Sequence, residues 1–326
     1  MLKKLPIDPY MLLLIATVAL AAILPVSGRA ATIVSQISYF AVALLFFLYG
    51  AKLKTQAVVA GMANWRLQTL IFVTTYGLFP LLGFGLAYLT GPWMPEDLVT
   101  GILFLAILPS TVQSSIALTA MANGNVPGAI CAASLSNMLG VVLTPLLAAL
   151  LLSTDSLELN AGSALWICVQ LLLPFVAGQI ARPVIEGWIG RNRMLTLVVD
   201  RGSILLIVYS AFSAGMVAGI WSRLDATTLA VLVAADLALL IVVMLVIGRV
   251  SRLSGLSRAE GVSFLFCGAQ KSLASGVPIA NILFVGHATG LIILPLMLYH
   301  QFQLFLSVAI AQRMAARDRA RDDTAT

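Results

Sequence analysis

Ten long apolar stretches dominate this chain: roughly Tyr10 to Val26, Ile33 to Gly50, Leu67 to Leu89, Leu98 to Met121, Val126 to Leu152, Ala164 to Ala181, Leu195 to Ile220, Thr227 to Gly248, Ser257 to Ala280 and Gly290 to Ala311. About 20 helical residues cross the roughly 30 Å hydrocarbon layer of a bilayer, so each stretch reads as one spanning helix. Of 326 residues 60% are hydrophobic and 10% charged, which is too little charge to cover a soluble domain of this length. A cytosolic enzyme, a disordered tail and a small disulfide scaffold are therefore excluded. Runs this long also exclude an outer-membrane barrel, whose strands need only about ten residues of alternating pattern. The expected fold class is an all-α polytopic membrane protein with ten transmembrane helices. The first stretch follows Lys3 and Lys4 and lacks a small-residue cleavage site, so it reads as a retained helix rather than a signal peptide.

The formal charge of +6 could suggest nucleic acid, but the 19 Lys and Arg are scattered between apolar runs. With the N-terminus inside, 16 of them fall on cytoplasmic ends and loops, Arg29 and Arg223 fall outside, and Lys271 alone lies within a span. Translocating Lys and Arg is disfavoured, which predicts an inner-membrane protein with both termini cytoplasmic. The outer loops also carry Glu96, Asp97, Asp155, Glu158 and Asp225. Cys131, Cys168 and Cys267 sit in apolar segments without C-x-x-C spacing, and His287 and His300 are too sparse to suggest a metal. The cysteines read as small core residues.

Two pairs of segments repeat at an offset of five spans. Gln113-Ser-Ser-Ile-Ala-Leu118 in span four is similar to Gln270-Lys-Ser-Leu-Ala-Ser275 in span nine, and Leu143-Thr-Pro-Leu-Leu147 in span five to Leu294-Pro-Leu-Met297 in span ten. An odd offset inserts the second copy upside down, the inverted-repeat plan of secondary transporters. Residues 1–152 would form the first five-helix repeat and 153–326 the second. Span four is interrupted by Leu108-Pro-Ser-Thr-Val-Gln-Ser-Ser115 and span nine by Cys267-Gly-Ala-Gln-Lys-Ser272, followed by Pro278. Backbone freed at that depth must be satisfied by protein or a water-filled cavity, so both helices are expected to break and cross around a midplane site.

The motifs Leu108-Pro-Ser-Thr-Val-Gln-Ser-Ser115, Gly124-Asn-Val-Pro127 leading to Ser134-Leu-Ser-Asn137 and Leu143-Thr-Pro145, and Phe266-Cys-Gly-Ala-Gln-Lys-Ser-Leu-Ala274 resemble the bile acid:sodium symporter superfamily, in its SBF-like branch. The resemblance covers the whole chain in span number and order, with its specific motifs in spans four, five and nine. It implies a core of spans three to five and eight to ten, a panel of spans one, two, six and seven, and transport of organic anions, many of them with sodium. The sodium ligands carry over unevenly. The helix-four Ser-Asn pair falls on Ser114 and Ser115, two helix-five hydroxyls fall on Ala129 and Ala133, the helix-nine glutamate falls on Phe266, Gln270 keeps its counterpart, and the adjacent asparagine becomes Lys271. A hard cation needs several oxygens, preferably one anionic, so the departures weaken a sodium site. No other cofactor is implied.

Gln113, Ser114, Ser115, Ser134, Ser136, Asn137, Gln270, Lys271 and Ser272 form the polar set expected to line the substrate or ion site. A charge in the membrane interior costs at least about 2.5–3.5 kcal/mol, which marks Lys271: its ammonium would take the place of sodium and attract an anion, or else exchange a proton. Half-helices beginning near Ser110 and Ser272 would aim positive ends at the same cavity. Asp236, the only acid within span eight, is the candidate charge partner of Lys271. His300, Gln301 and Gln303 would line the inner cavity or bond a neighbouring helix. The expected function is transport of an organic anion by alternating access, with sodium as the family default. A proton-coupled or uncoupled carrier and a non-transporting regulator of membrane ion handling are the alternatives. A retinal photoreceptor, an intramembrane hydrolase and a channel lack the required lysine context, nucleophile or metal motif, and filter sequence.

Overall fold

The computed structural model describes residues 9–52, 64–152, 161–219, 224–285 and 287–325. Lys3, Lys4, Lys54, Asp155, Glu158 and Arg223 lie outside these residues, as do the side chains of Cys168, Arg319 and Arg321. Among the described residues there is no strand. The helices are α1 (Pro9–Ile23), α2 (Gly28–Lys52), α3 (Trp65–Val73), α4 (Phe79–Thr90), α5 (Glu96–Ile107), α6 (Gln113–Met121), α7 (Val126–Leu151), α8 (Ala161–Arg191), α9 (Arg193–Val217), α10 (Ala226–Leu253), α11 (Arg258–Ala269), α12 (Leu273–Leu283) and α13 (Thr289–Ala325). Six helical segments among them are long and apolar enough to cross a membrane: Gly28–Lys52, Trp65–Trp93, Val126–Leu151, Arg193–Val217, Ala226–Leu253 and Thr289–Asp318. The fourth and ninth expected spans are each two short helices, α5 and α6, and α11 and α12, because their ladders are interrupted.

The chain divides into two compact units. The first comprises residues 1–53, 166–225 and 277–293, with α9 packed on both α1 and α2. Within it α2 and α8 approach at backbone distance. A Cβ added to Gly50 would lie 1.9 Å from the Phe175 carbonyl oxygen, and one added to Gly178 would lie 1.9 Å from that of Phe47. The contact is reciprocal, built from Phe47-Leu-Tyr-Gly50 on one helix and Phe175-Val-Ala-Gly178 on the other. Small residues permit such helix crossings where lipid offers no hydrophobic drive. Lys52 Nζ, at the end of α2, lies 2.7 Å from Asp200 Oδ2 on α9, and the Arg201 guanidinium covers the Tyr10 ring at 5.0 Å.

The second unit comprises residues 54–165, 226–276 and 294–326. Here α11 is central, in contact with α3, α6, α7 and α10, while α4 packs on α5 and α10. Three helix starts are capped by local side chains that satisfy orphan N–H groups. Asn64 accepts from the Leu67 N–H at 3.3 Å, Asn125 accepts from Gly128 at 3.0 Å, and Ser257 and Glu260 form a capping box on α11. The starts of α7 and α11 are tied together, since Asn125 N–H donates to the Ala259 carbonyl at 2.9 Å and the Ser263 hydroxyl to the Asn125 carbonyl at 2.9 Å. At the far end of α13, Asp318 accepts from both Arg258 and Asn123. Cys131 and Cys267 are buried, as small core residues should be.

Candidate functional site

The site lies within the second unit, where α5–α6 and α11–α12 each lose their helical ladder for a few residues. After Ile107 the backbone turns extended at Leu108, with φ −75° and ψ 154°. Pro109 has no N–H to continue the helix. The next N–H, that of Ser110, donates to Ser136 Oγ at 3.0 Å instead of to the preceding turn. The Ser110 carbonyl accepts from Asn137 Nδ2 at 2.7 Å and its hydroxyl donates to the Cys267 carbonyl at 2.6 Å. These commitments delay the second half-helix to Gln113, three residues past the start expected near Ser110. In the other interruption Gln270 is extended, with φ −95° and ψ 144°. Gly268 remains in the last turn of α11 and Pro278 lies inside α12, so neither is the break point.

The two interruptions bind each other. Ser272 N–H donates to the Pro109 carbonyl at 2.9 Å. Asn137, on the continuous helix α7, bridges both: its amide nitrogen reaches Ser110 and its amide oxygen accepts from the Ser275 hydroxyl at 2.7 Å. Gln303 on α13 pairs with Lys271 in both senses, accepting from its backbone N–H at 2.8 Å and donating to its carbonyl at 2.9 Å. The Tyr299 hydroxyl donates to the Ala269 carbonyl at 2.8 Å, and the Ser272 hydroxyl accepts from Ser275 N–H at 3.1 Å to cap α12. Freed backbone groups are thus satisfied by protein, as broken helices in a membrane require.

Lys271 is fully buried. Its Nζ donates to the carbonyls of Thr75 at 2.9 Å, Ala106 at 2.8 Å and Leu108 at 2.7 Å, and it lies 4.1 Å from the centre of the Phe79 ring. Local sequence supplies each acceptor. Residues 74–78 form one π-helical turn in which Phe79 N–H bonds the Thr74 carbonyl. The next donor in that register is residue 80, a proline, so the Thr75 carbonyl has no helical N–H to accept from. Ala106 and Leu108 sit at the C-terminal end of α5, where carbonyls lack intrahelical partners and the helix dipole favours a cation. An ammonium has three protons, and all three are used. The charge partner expected for Lys271 was Asp236, and the structure corrects this: the three salt bridges among the described residues do not include the pair. Asp236 is fully buried on α10 and neither carboxyl oxygen has a hydrogen-bond partner among the described residues.

Beside Lys271, Gln270 Oε1 lies 2.6 Å from the hydroxyl of Thr111, 2.7 Å from that of Ser114 and 3.1 Å from that of Ser115. The hydroxyls of Thr111 and Ser114 are themselves 2.6 Å apart. Gln270 Nε2 is buried with no acceptor among the described residues. At Ala129, Ala133 and Phe266, where the resemblance implies side-chain oxygens, this chain has carbonyls only, and each accepts a bond: Ala129 from Cys267 Sγ at 3.8 Å, Ala133 from Asn137 at 2.9 Å, and Phe266 from Ser115 at 3.1 Å. Of the polar set, Ser114, Ser115, Ser136, Asn137, Gln270, Lys271 and Ser272 come together here. Gln113 is exposed at the start of α6, and Ser134 takes no part in this network. Ser110, Thr111, Thr75 and Tyr299 join the cluster as well. Ser110 and Thr111 were within the motif, but Thr75 and Tyr299 contribute through a carbonyl and a long-range contact that no pattern marks. Tyr76 is a further one, donating from α3's continuation to the Ser136 carbonyl at 2.6 Å.

A helical membrane protein whose two interrupted helices meet in a polar cluster has the plan on which multi-pass secondary transporters are built. The comparisons narrow that class: a model of the SBF-like CPA transporter family matches residues 8–316, and the chain belongs to that family. It is 47% identical over 98% of its length to a Pseudomonas aeruginosa protein named "Uncharacterized protein PA2026", 95% of which is covered. It is 41% identical to the putative symporter YfeH of Escherichia coli, over 94% of this chain and 92% of that one. To the rat sodium/bile acid cotransporter 7 it is 30% identical, over 83% of this chain and 80% of that one. The family is one of transporters, and the Escherichia coli and rat relatives are named as a putative symporter and a cotransporter rather than as enzymes, so the protein is a membrane transporter and not an enzyme.

Proposed function

We propose that this protein is a bacterial inner-membrane secondary transporter that carries an organic anion by alternating access and does so without a bound sodium ion. The observation that carries the reading is the Lys271 ammonium, bonded to three carbonyls where the two interruptions meet. Three backbone oxygens match the three protons of an ammonium and fall short of the fuller oxygen shell a hard cation takes, so here the positive charge is part of the chain. Beside it, the oxygens of Thr111, Ser114, Ser115 and Gln270 are engaged with one another, and none of these residues offers a carboxylate to draw in sodium. Support for an anionic cargo comes from the Gln270 amide nitrogen, a buried donor with no acceptor among the described residues, and from the rat relative, whose name specifies bile acid. Ten spans in two inverted five-helix repeats, residues 1–152 and 153–326, remain the topology we favour, with a core of spans three to five and eight to ten, a panel of spans one, two, six and seven, and both termini cytoplasmic. The paired interruptions and the bias of 16 of 19 Lys and Arg support it.

The test is counterflow in liposomes of purified protein, with labelled organic anions including a bile acid, in sodium and in choline. Saturable exchange of equal rate in both salts is expected. Uptake that vanishes in choline would return sodium to the site and overturn the reading. Absence of exchange for every anion would favour the non-transporting regulator.

A further inference from the structure

Asp236 stands ten residues into α10, which at about 1.5 Å per residue is roughly 15 Å along the helix, or half the thickness of a bilayer core of about 30 Å. It belongs to the inward face of that helix, with Leu232, Ala235, Leu239, Leu240 and Val243, all buried. Its side chain is fully enclosed, and both carboxyl oxygens lack a hydrogen-bond partner among the described residues. A carboxylate in that setting would be a bare charge in an apolar site, which proteins tolerate only when it is paired or neutralised.

The neighbouring charged and titratable groups are all occupied or turned away. On α11, which packs on α10, Arg258 pairs with Asp318, Glu260 serves the capping box, and the Cys267 thiol donates to the Ala129 carbonyl. On α4, the other helix against α10, Tyr88 is 84% exposed. The short turn Gly91–Trp93 that also touches α10 carries no ionisable side chain. Tyr299 of α13 lies within electrostatic reach of Asp236 but gives its proton to the Ala269 carbonyl. The Lys271 ammonium is spent on three carbonyls. Among the described residues no cation is paired with Asp236, and a proton is the one partner small enough to need no further room.

We propose that Asp236 is the proton-binding site of the transport cycle, filled in the enclosed conformation and emptied to water when the cycle opens the second unit to one side. In that step the carboxyl O–H bond breaks, the proton leaves as hydronium, and the carboxylate stays until it is reprotonated from the opposite side. No electrons change hands. The inference deepens the sodium-free transport reading and rests on it for the coupling, but not for the protonation.

Infrared difference spectroscopy of wild type against Asp236→Asn, in lipid at neutral pH, tests the protonation without any substrate. A protonated-carboxyl C=O band that is present in wild type, absent in D236N and shifted on transfer to D2O is expected. A missing band would mean a resident carboxylate, and a band that does not exchange in D2O would mean a sealed structural acid; either result overturns the proposal. Transport is then read as bile acid uptake driven by an imposed acid-outside gradient. D236N is expected to lose the pH dependence of the rate, and Asp236→Glu to retain a displaced one. A D236N profile that matches wild type overturns the coupling. If wild type moves no anion at all while the exchangeable band persists, the transport reading fails and the proton site stands.

Discussion

The ammonium of Lys271 lies 2.7 Å from the carbonyl oxygen of Leu108, across a sequence separation of 163 residues, and so joins one interrupted helix to the other. Pairing a helix's C-terminal carbonyls with a buried cation offsets both the orphan acceptors and the charge. Lys271→Ala leaves three dry carbonyls, at about 1–3 kcal/mol each before relief of the buried charge is counted. Its melting temperature in detergent should fall by more than about 5 °C, with Lys271→Met losing less. An unchanged melting curve for K271A would remove the ammonium from its structural role.

Asn137 holds the Ser110 carbonyl and the Ser275 hydroxyl at once. Asn137 also donates to the Ala133 carbonyl, and the Ser275 hydroxyl also accepts from Ser272, so at about 1 kcal/mol for each hydrogen bond Asn137→Ala should cost about 3 kcal/mol and Ser275→Ala about 2 kcal/mol. Because one bond is shared, the double variant should cost about 1 kcal/mol less than the sum of the two single variants. A thermal-denaturation cycle giving simple additivity would contradict the bridge.

At the crossing of α2 and α8 a single methyl has nowhere to go, since it would sit 1.9 Å from a carbonyl oxygen at either Gly50 or Gly178. Overpacking typically costs about 1–3 kcal/mol, occasionally more, and here backbone rather than a side chain must yield. Gly50→Ala and Gly178→Ala should each lower the yield of monodisperse protein. Combined, they should do less than the sum, because the first substitution already separates the helices.

The capping box on α11 gives a control remote from the interruptions. Ser257→Ala removes the acceptor for the Glu260 N–H and should cost about 1 kcal/mol. Hydrogen exchange in the first turn of α11 should speed up while transport rates hold. Equal protection in both proteins would show that the cap contributes nothing.

Legibility in the sequence followed the range of the interaction. Apolar run length exposed the helical membrane class at once, and Pro109 and the Gln270-Lys271-Ser272 run revealed where helices stop, because missing N–H groups and mid-span polarity are local properties. The exact restart at Gln113 was not legible: it depends on Ser136 and Asn137, contributed by a separate helix. The partner of Lys271 was misread for a related reason. Charge invites a search for opposite charge, and Asp236 was the only acid within the preceding span, whereas the acceptors are carbonyls, which every residue owns. Only the coincidence of Pro80 with a π-helical turn makes the Thr75 carbonyl special, and that coincidence has no sequence pattern of its own. Gly50 and Gly178 were likewise hidden, since each matters only through the backbone of the other helix.

A cation welded to the polypeptide makes no net journey. Whatever distance Lys271 travels when the carrier turns, it retraces on the way back, so the membrane voltage performs no overall work on it across a full turnover. A monovalent anion moved together with one proton on Asp236 would then be electrically silent, and its accumulation would follow acidity across the bilayer while ignoring potential. A clamp of voltage at constant pH would leave such a carrier indifferent, in contrast to any relative that brings several sodium ions along with a single anion.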